Sequence, residues 1–68
     1  MEKDKKKSRL QKRREELKLT QEEVAKRAGI TRQYYGMIEN GERDPSLKTA
    51  KKLSKVLGWG VDALFFDR

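Results

Sequence analysis

From Ser8 onward apolar residues recur at helical spacing, and each run is opened and closed by residues that favour helix ends. Ser8 reads as the N-cap of a first helix reaching Leu17, built of good helix formers, with Leu10 and Leu17 seven apart on one stripe. Arg14 falls on the same stripe: at about 100° per residue the three lie within roughly 60° of one another. A helix that buries those leucines therefore carries the Arg14 head group inward, where it needs a partner. Thr20 to Glu23 is a capping box, and Leu19 and Val24 have the spacing of a hydrophobic staple. A second helix of about nine residues follows, with Val24, Ala25 and Ala28 inside and Gly29 ending it. Ile30 and Thr31 repeat the start signal, with Thr31 as cap and Ile30 stapled to Tyr35. On the third helix Tyr35 and Ile38 mark the buried side; Gln33, Gly36 and Met37 face outward, flanked by Arg32 and Tyr34. Glu39 sits at the edge of the buried side and is the expected mate of Arg14 in a largely buried ion pair. Residues 40–45 are turn chemistry, and Ser46 caps a fourth helix with the stripe Leu47, Ala50, Leu53, Val56 and Leu57, closed by Gly58. A short last helix runs from Val61 to about Phe66. Residues 1–7 have no apolar periodicity and are expected to be a disordered arm. The pattern thus predicts an all-α domain of five helices over residues 8–66.

Length and composition narrow the chemistry. Sixty-eight residues make one domain at most, with 34% hydrophobic and 43% charged side chains. With no Cys and no His, disulfides, zinc fingers, thiol nucleophiles and histidine bases are excluded on inventory. No metal or other cofactor is expected, nor a pocket for a small-molecule ligand. Capping accounts for Glu22 and Glu23, no paired carboxylate site emerges, and an enzyme is not expected. No apolar run approaches 18 residues, so a membrane partner by insertion is not expected and the cytoplasm is the default location. The net charge of +7 is concentrated at one end: residues 1–14 hold eight basic and two acidic side chains, the remaining 54 ten and nine. Such an asymmetry fits either a polyanionic partner, nucleic acid or an acidic membrane surface, or a solubilising tail.

Two helices joined by a Gly-containing turn of about three residues form the helix-turn-helix unit, whose second helix can enter a major groove; a plain helical hairpin has the same spacing. The run from Leu19 to Gly41, then Arg43-Asp-Pro-Ser-Leu47 and Leu57-Gly58, closely resembles the phage-repressor and Cro-like helix-turn-helix family, also called the xenobiotic-response-element (XRE) family. The resemblance spans about residues 8–66. It implies a lambda-repressor-like five-helix domain that binds double-stranded operator DNA, commonly as a homodimer, and regulates transcription, here as a repressor. It also implies roles for individual residues. Gln21 matches a side chain that contacts phosphate and braces the recognition helix, with Thr20 beside it. Arg32 and Gln33 match positions that reach base edges, where Arg suits guanine and Gln suits adenine. Asn40, Arg43 and Ser46, with Lys48 next in line, match the loop and fourth-helix start that hold backbone phosphates.

The sequence departs from the family pattern at Tyr35, which replaces an aliphatic residue, at Tyr34, which adds a second ring, and at Gly36, which costs about 1 kcal/mol relative to Ala inside a helix. Either Gly36 lets the helix approach the groove closely, with Met37 and Tyr34 touching thymine methyls, or its neighbours merely tolerate it. Trp59, Leu64, Phe65 and Phe66 either close the core or add a dimer contact. The rival to DNA reading is a protein-interaction or antitoxin-like module on the same fold.

Overall fold

The computed structural model describes residues 8–65. The expected N-terminal arm and the Phe66 end of the last helix lie outside the described residues. Five helices follow in order: α1 (Arg9–Glu16), α2 (Gln21–Ala28), α3 (Arg32–Glu39), α4 (Leu47–Leu57) and α5 (Val61–Phe65).

All four expected caps form. The side-chain oxygens of Ser8, Thr20, Thr31 and Ser46 accept from the backbone N–H groups of Gln11, Glu23, Tyr34 and Thr49 at 3.1, 3.0, 2.9 and 3.1 Å. The capping box closes with Thr20 N–H donating to the Glu23 carboxylate at 2.8 Å. Each cap stabilises its helix by about 1 kcal/mol, which matters for helices too short to persist alone.

Gly29, at φ 74°, turns α2 into α3, with its own N–H on the Lys26 carbonyl and that of Ile30 on Ala25. The end of α1 uses the same closure, Lys18 N–H to Glu15 at 2.9 Å and Leu19 N–H to Arg14 at 3.0 Å, but places Lys18 at φ 59°. Among the described residues it is the one non-glycine in that left-handed region, where a Cβ costs about 1–2 kcal/mol.

The core joins Leu10 of α1, Val24, Ala25 and Ala28 of α2, Tyr35 and Ile38 of α3, Leu53 and Leu57 of α4, and Leu64 of α5. The alanines keep α2 close to its two neighbours, α3 and α4, while α5 closes the bundle against α1 and α4. Leu19 and Ile30, the two staple residues, are half-buried against this core.

Two expected core leucines lie outside it. Leu17 is 38% exposed: it is the C-cap of α1, where the chain swings into the Lys18 turn, and Leu19 takes the inward position instead. Leu47 is 67% exposed. It opens α4 before the helix reaches the bundle, and the buried side begins at Thr49 and Ala50. Thr49 is tolerated there because the Ser46 hydroxyl donates to its Oγ1 at 3.1 Å. At the other end Leu64 is buried, while Trp59 and Phe65 are half-buried against the core.

A further tie joins the first helix to the end of the fourth. Arg13 Nε donates to the Leu57 carbonyl at 2.7 Å, its guanidinium lies 5.3 Å from the centre of the Trp59 ring, and its NH1 pairs with Glu16 at 3.0 Å. A cation at the carbonyl end of α4 also complements the helix dipole. This tie was not anticipated from the sequence, because the apolar pattern contains no signal for Arg13.

Candidate nucleic-acid interface

The placement of α3 is set by one buried carboxylate. Glu39 is 5% exposed and receives hydrogen bonds from three other side chains. Arg14 Nε donates to Oε2 at 2.8 Å and Arg14 NH2 to Oε1 at 3.3 Å; Tyr35 Oη donates to Oε2 at 2.8 Å; Gln21 Nε2 donates to Oε1 at 2.7 Å. Arg14 NH1 meanwhile donates to the Leu19 carbonyl at 2.9 Å, fixing the α1–α2 corner. Helices α1, α2 and α3 therefore meet at a single group, as the Arg14 stripe and the position of Glu39 require.

Burial by itself pushes the Glu39 carboxyl up, but the hydrogen bonds from Arg14, Tyr35 and Gln21, together with the Arg14 charge, outweigh it and hold the group below its ordinary range. Arg14 is raised by its bond to Glu39, against the effect of burial. The Tyr35 hydroxyl is pushed well up, first by burial and then by the adjacent carboxylate. The network is ionic and each oxygen of the buried carboxylate accepts two hydrogen bonds, the condition under which buried charge is tolerated. The Tyr35 hydroxyl was missed by apolar-pattern reasoning, which counted the residue as a hydrophobe; its i, i+4 spacing to Glu39 was the available signal.

With Tyr35, Ile38 and Glu39 facing inward, α3 turns Arg32 and Gln33 out as exposed side chains on its first turn, and Gly36 and Met37 are partly exposed behind them. A Cβ built on Gly36 meets nothing within 4 Å, so no packing within the domain demands glycine there. Tyr34 is half-buried against the core and lies under the Arg43 guanidinium.

The expected phosphate-contacting residues fall into three places. Thr20 and Gln21 line a shallow concavity of about 510 Å³ together with Arg14, Lys18 and Arg32, so the start of α2 and the first turn of α3 share one surface. Asn40 and Arg43 line a second concavity of about 600 Å³, between the α3–α4 loop, the start of α1 and the end of α5. Ser46 and Lys48 stand apart from both, at the exposed start of α4. Gln21 spends one amide hydrogen on Glu39, which leaves the second free. Among the described residues no cluster of His, Cys, Asp or Glu could hold a metal ion, and no helix is long and apolar enough to cross a membrane.

Comparison with known proteins agrees with the five-helix fold. A helix-turn-helix family model matches residues 10–64. The chain is similar to the uncharacterised HTH-type transcriptional regulator YqaF of Bacillus subtilis, with 52% identity over 58 residues, covering 85% of this chain and 76% of that one. Among solved structures it resembles the restriction-modification controller protein C.AhdI from Aeromonas hydrophila, with a TM-score of 0.78 at 37% identity over 84% of this chain and 86% of that one. It also resembles the DNA-binding domain of the P22 c2 repressor, with a TM-score of 0.78 at 30% identity over 82% of this chain and 74% of that one. These three relatives are a transcriptional regulator, a controller protein and the DNA-binding domain of a repressor. The chain belongs to the Cro/C1-type (XRE) helix-turn-helix family of DNA-binding transcriptional regulators.

Proposed function

We propose that the protein is a repressor that binds a two-fold operator as a homodimer, with α3 of each copy in the major groove. The observation that carries the reading is the Glu39 network: it fixes one face of α3 to α1 and α2 and leaves Arg32 and Gln33 free on the other. Arg32 suits the O6 and N7 of guanine, and Gln33 the N6 and N7 of adenine. Gly36, with open space where a Cβ would stand, allows close approach, and Met37 supplies an apolar contact. Thr20 and Gln21 on one side, and Asn40, Arg43, Ser46 and Lys48 on the other, hold the backbone phosphates that set the register.

A single eight-residue helix reads few base pairs, so useful specificity calls for two half-sites about one helical turn apart. The second copy is assigned to the apolar surface where Pro45, Leu47, Val61 and Phe65 line a cleft of about 390 Å³. Leu47, the most exposed large hydrophobic residue described, lies on that surface. Repression follows from occupancy of a promoter.

Selection of bound duplexes from a random pool, with wild type and Gln33→Ala side by side, tests the reading. The expected result is an inverted repeat for wild type that is lost or altered in the variant. Recovery of unrelated, salt-sensitive sequences by both proteins would mean that α3 does not read bases.

A further inference from the structure

The α3–α4 loop places the Arg43 guanidinium over the Tyr34 ring, 5.7 Å from its centre. Tyr34 is half-buried and packed on the core, so its ring is a fixed platform. Arg43 is exposed, and among the described residues no carboxylate pairs with it, although Glu42 and Asp44 flank it in sequence. A guanidinium resting on an aromatic face keeps its rim of N–H donors available, because the ring engages only the flat side. An arginine left to itself on an exposed loop would lose rotamer freedom when it met an anion, whereas on the ring part of that freedom is already gone.

We propose that Tyr34 is a positioning residue: its ring, carried on the recognition helix, holds Arg43 ready for a backbone phosphate and so couples the loop contact to the seating of α3. The proposal rests on the DNA-reading function above and gives Tyr34 a part in it, support of a phosphate contact in place of the thymine contact weighed from the sequence. The two parts have different signatures. A phosphate contact carries no sequence information, so loss of the platform weakens every duplex alike, whereas loss of a base contact alters preference.

The test measures affinity by fluorescence anisotropy for the duplex that wild type selects and for a scrambled duplex, at several salt concentrations, with thermal melts as a folding control. The variants are Tyr34→Phe, Tyr34→Leu, Arg43→Ala, Arg43→Lys and the double variant Tyr34→Leu/Arg43→Ala. Tyr34→Phe keeps the ring face and is expected to bind as wild type. Tyr34→Leu is expected to bind both duplexes about two- to fivefold more weakly, the range of an exposed cation–ring contact. Arg43→Ala should weaken both and lower the salt slope by about 0.9, one phosphate contact. Adding Tyr34→Leu to Arg43→Ala should then cost nothing more. Arg43→Lys, which leaves α3 untouched and keeps the charge without the flat face, should also weaken both duplexes while retaining the slope. A Tyr34→Leu protein that binds as wild type, that shifts base preference, or whose loss adds in full to that of Arg43→Ala overturns the proposal. If wild type selects no duplex at all, the DNA reading falls and the proposal with it; if it selects one and the two losses add, only the platform falls.

Discussion

Replacing Glu39 by Gln removes one charge and almost no volume, and the surroundings make that change costly. The carboxylate takes four donor contacts between 2.7 and 3.3 Å, from Arg14, Tyr35 and Gln21. An amide keeps one acceptor oxygen and turns an N–H₂ group toward donors on the other side. Arg14, with only 13% of its side chain exposed, loses its counter-charge. Taking one partner from a buried pair costs about 3–5 kcal/mol. A domain of 68 residues has a total stability of roughly 3–10 kcal/mol at 0.05–0.15 kcal/mol per residue, so the loss is a large part of the whole. At about 4–8 °C per kcal/mol for a domain of this size, Tm measured by circular dichroism should fall by about 12 °C or more. Arg14→Met should be comparably damaging, since it strands the carboxylate, and Glu39→Gln should cost much less in that background than in wild type. A Glu39→Gln protein that melts with wild type would refute the reasoning, for the pair would then contribute no more than a surface contact.

The same network gives a pH dependence. Tyr35 is raised above its ordinary value of 10.0, so above that pH the unfolded chain gives up this proton before the folded one; the unfolded state then binds fewer protons, and stability falls as pH rises. Tyr35→Phe should lose about 1–2 kcal/mol at neutral pH and flatten the alkaline decline followed by urea denaturation. Glu39, held below its ordinary 4.5, works in the other direction: its contribution is present above that value and lost as pH falls toward the lowered one, a decline that Glu39→Gln should lessen. Lys18→Gly relieves a left-handed residue worth about 1–2 kcal/mol, against about 0.5–1 kcal/mol of extra freedom in the unfolded chain; the urea midpoint should rise by the equivalent of roughly 0.5–1 kcal/mol with an unchanged slope. Gly36→Ala should stabilise the fold by up to about 1 kcal/mol, since the added methyl meets nothing within 4 Å, yet weaken operator binding; a stabilised variant with undiminished affinity would remove the case for close approach at Gly36.

How much of this could be read from the chain depended on whether a signal was local. Caps and stops are local chemistry, which is why Ser8, Thr20, Thr31 and Ser46 open helices where the pattern puts them, and Gly29 and Gly58 close theirs. The Arg14–Glu39 pair lies 25 residues apart and was still legible, because each member sits at a polar position on an otherwise apolar stripe and each needs the other. Leu17 and Leu47 were misread for one shared reason: periodicity assigns a face but does not say where a helix leaves the bundle, and both lie at helix ends. Arg13 and Arg43 were out of reach as ring partners. Trp59 lies far from Arg13 in sequence, and the course of the α3–α4 loop, which brings Arg43 over Tyr34, follows from no periodicity. For the interface, position on α3 separates Arg32 and Gln33 from Tyr35 and Ile38, but the sharing of one concavity by Thr20, Gln21 and Arg32 depends on the angle between helices, which spacing alone does not supply.

The location of the buried charge also bears on the proposed reading of DNA by α3. An eight-residue helix is too short to hold its shape in water alone, so α3 is rigid only as far as its neighbours make it so. Glu39 is also the single carboxylate on that helix. Left at the surface it would oppose an approaching phosphate backbone; drawn inward against Arg14, it is neutralised there, and the exposed first turn keeps the charge of Arg32 without an acid on the same helix to offset it. One side chain thereby both anchors the helix and clears its outer face of negative charge. The two effects separate in Glu39→Gln: at a temperature where the variant is still folded, the face remains free of acid while its support is weakened, and because the unpaired charge of Arg14 only favours a phosphate backbone, a loss in DNA affinity reports the weakened support.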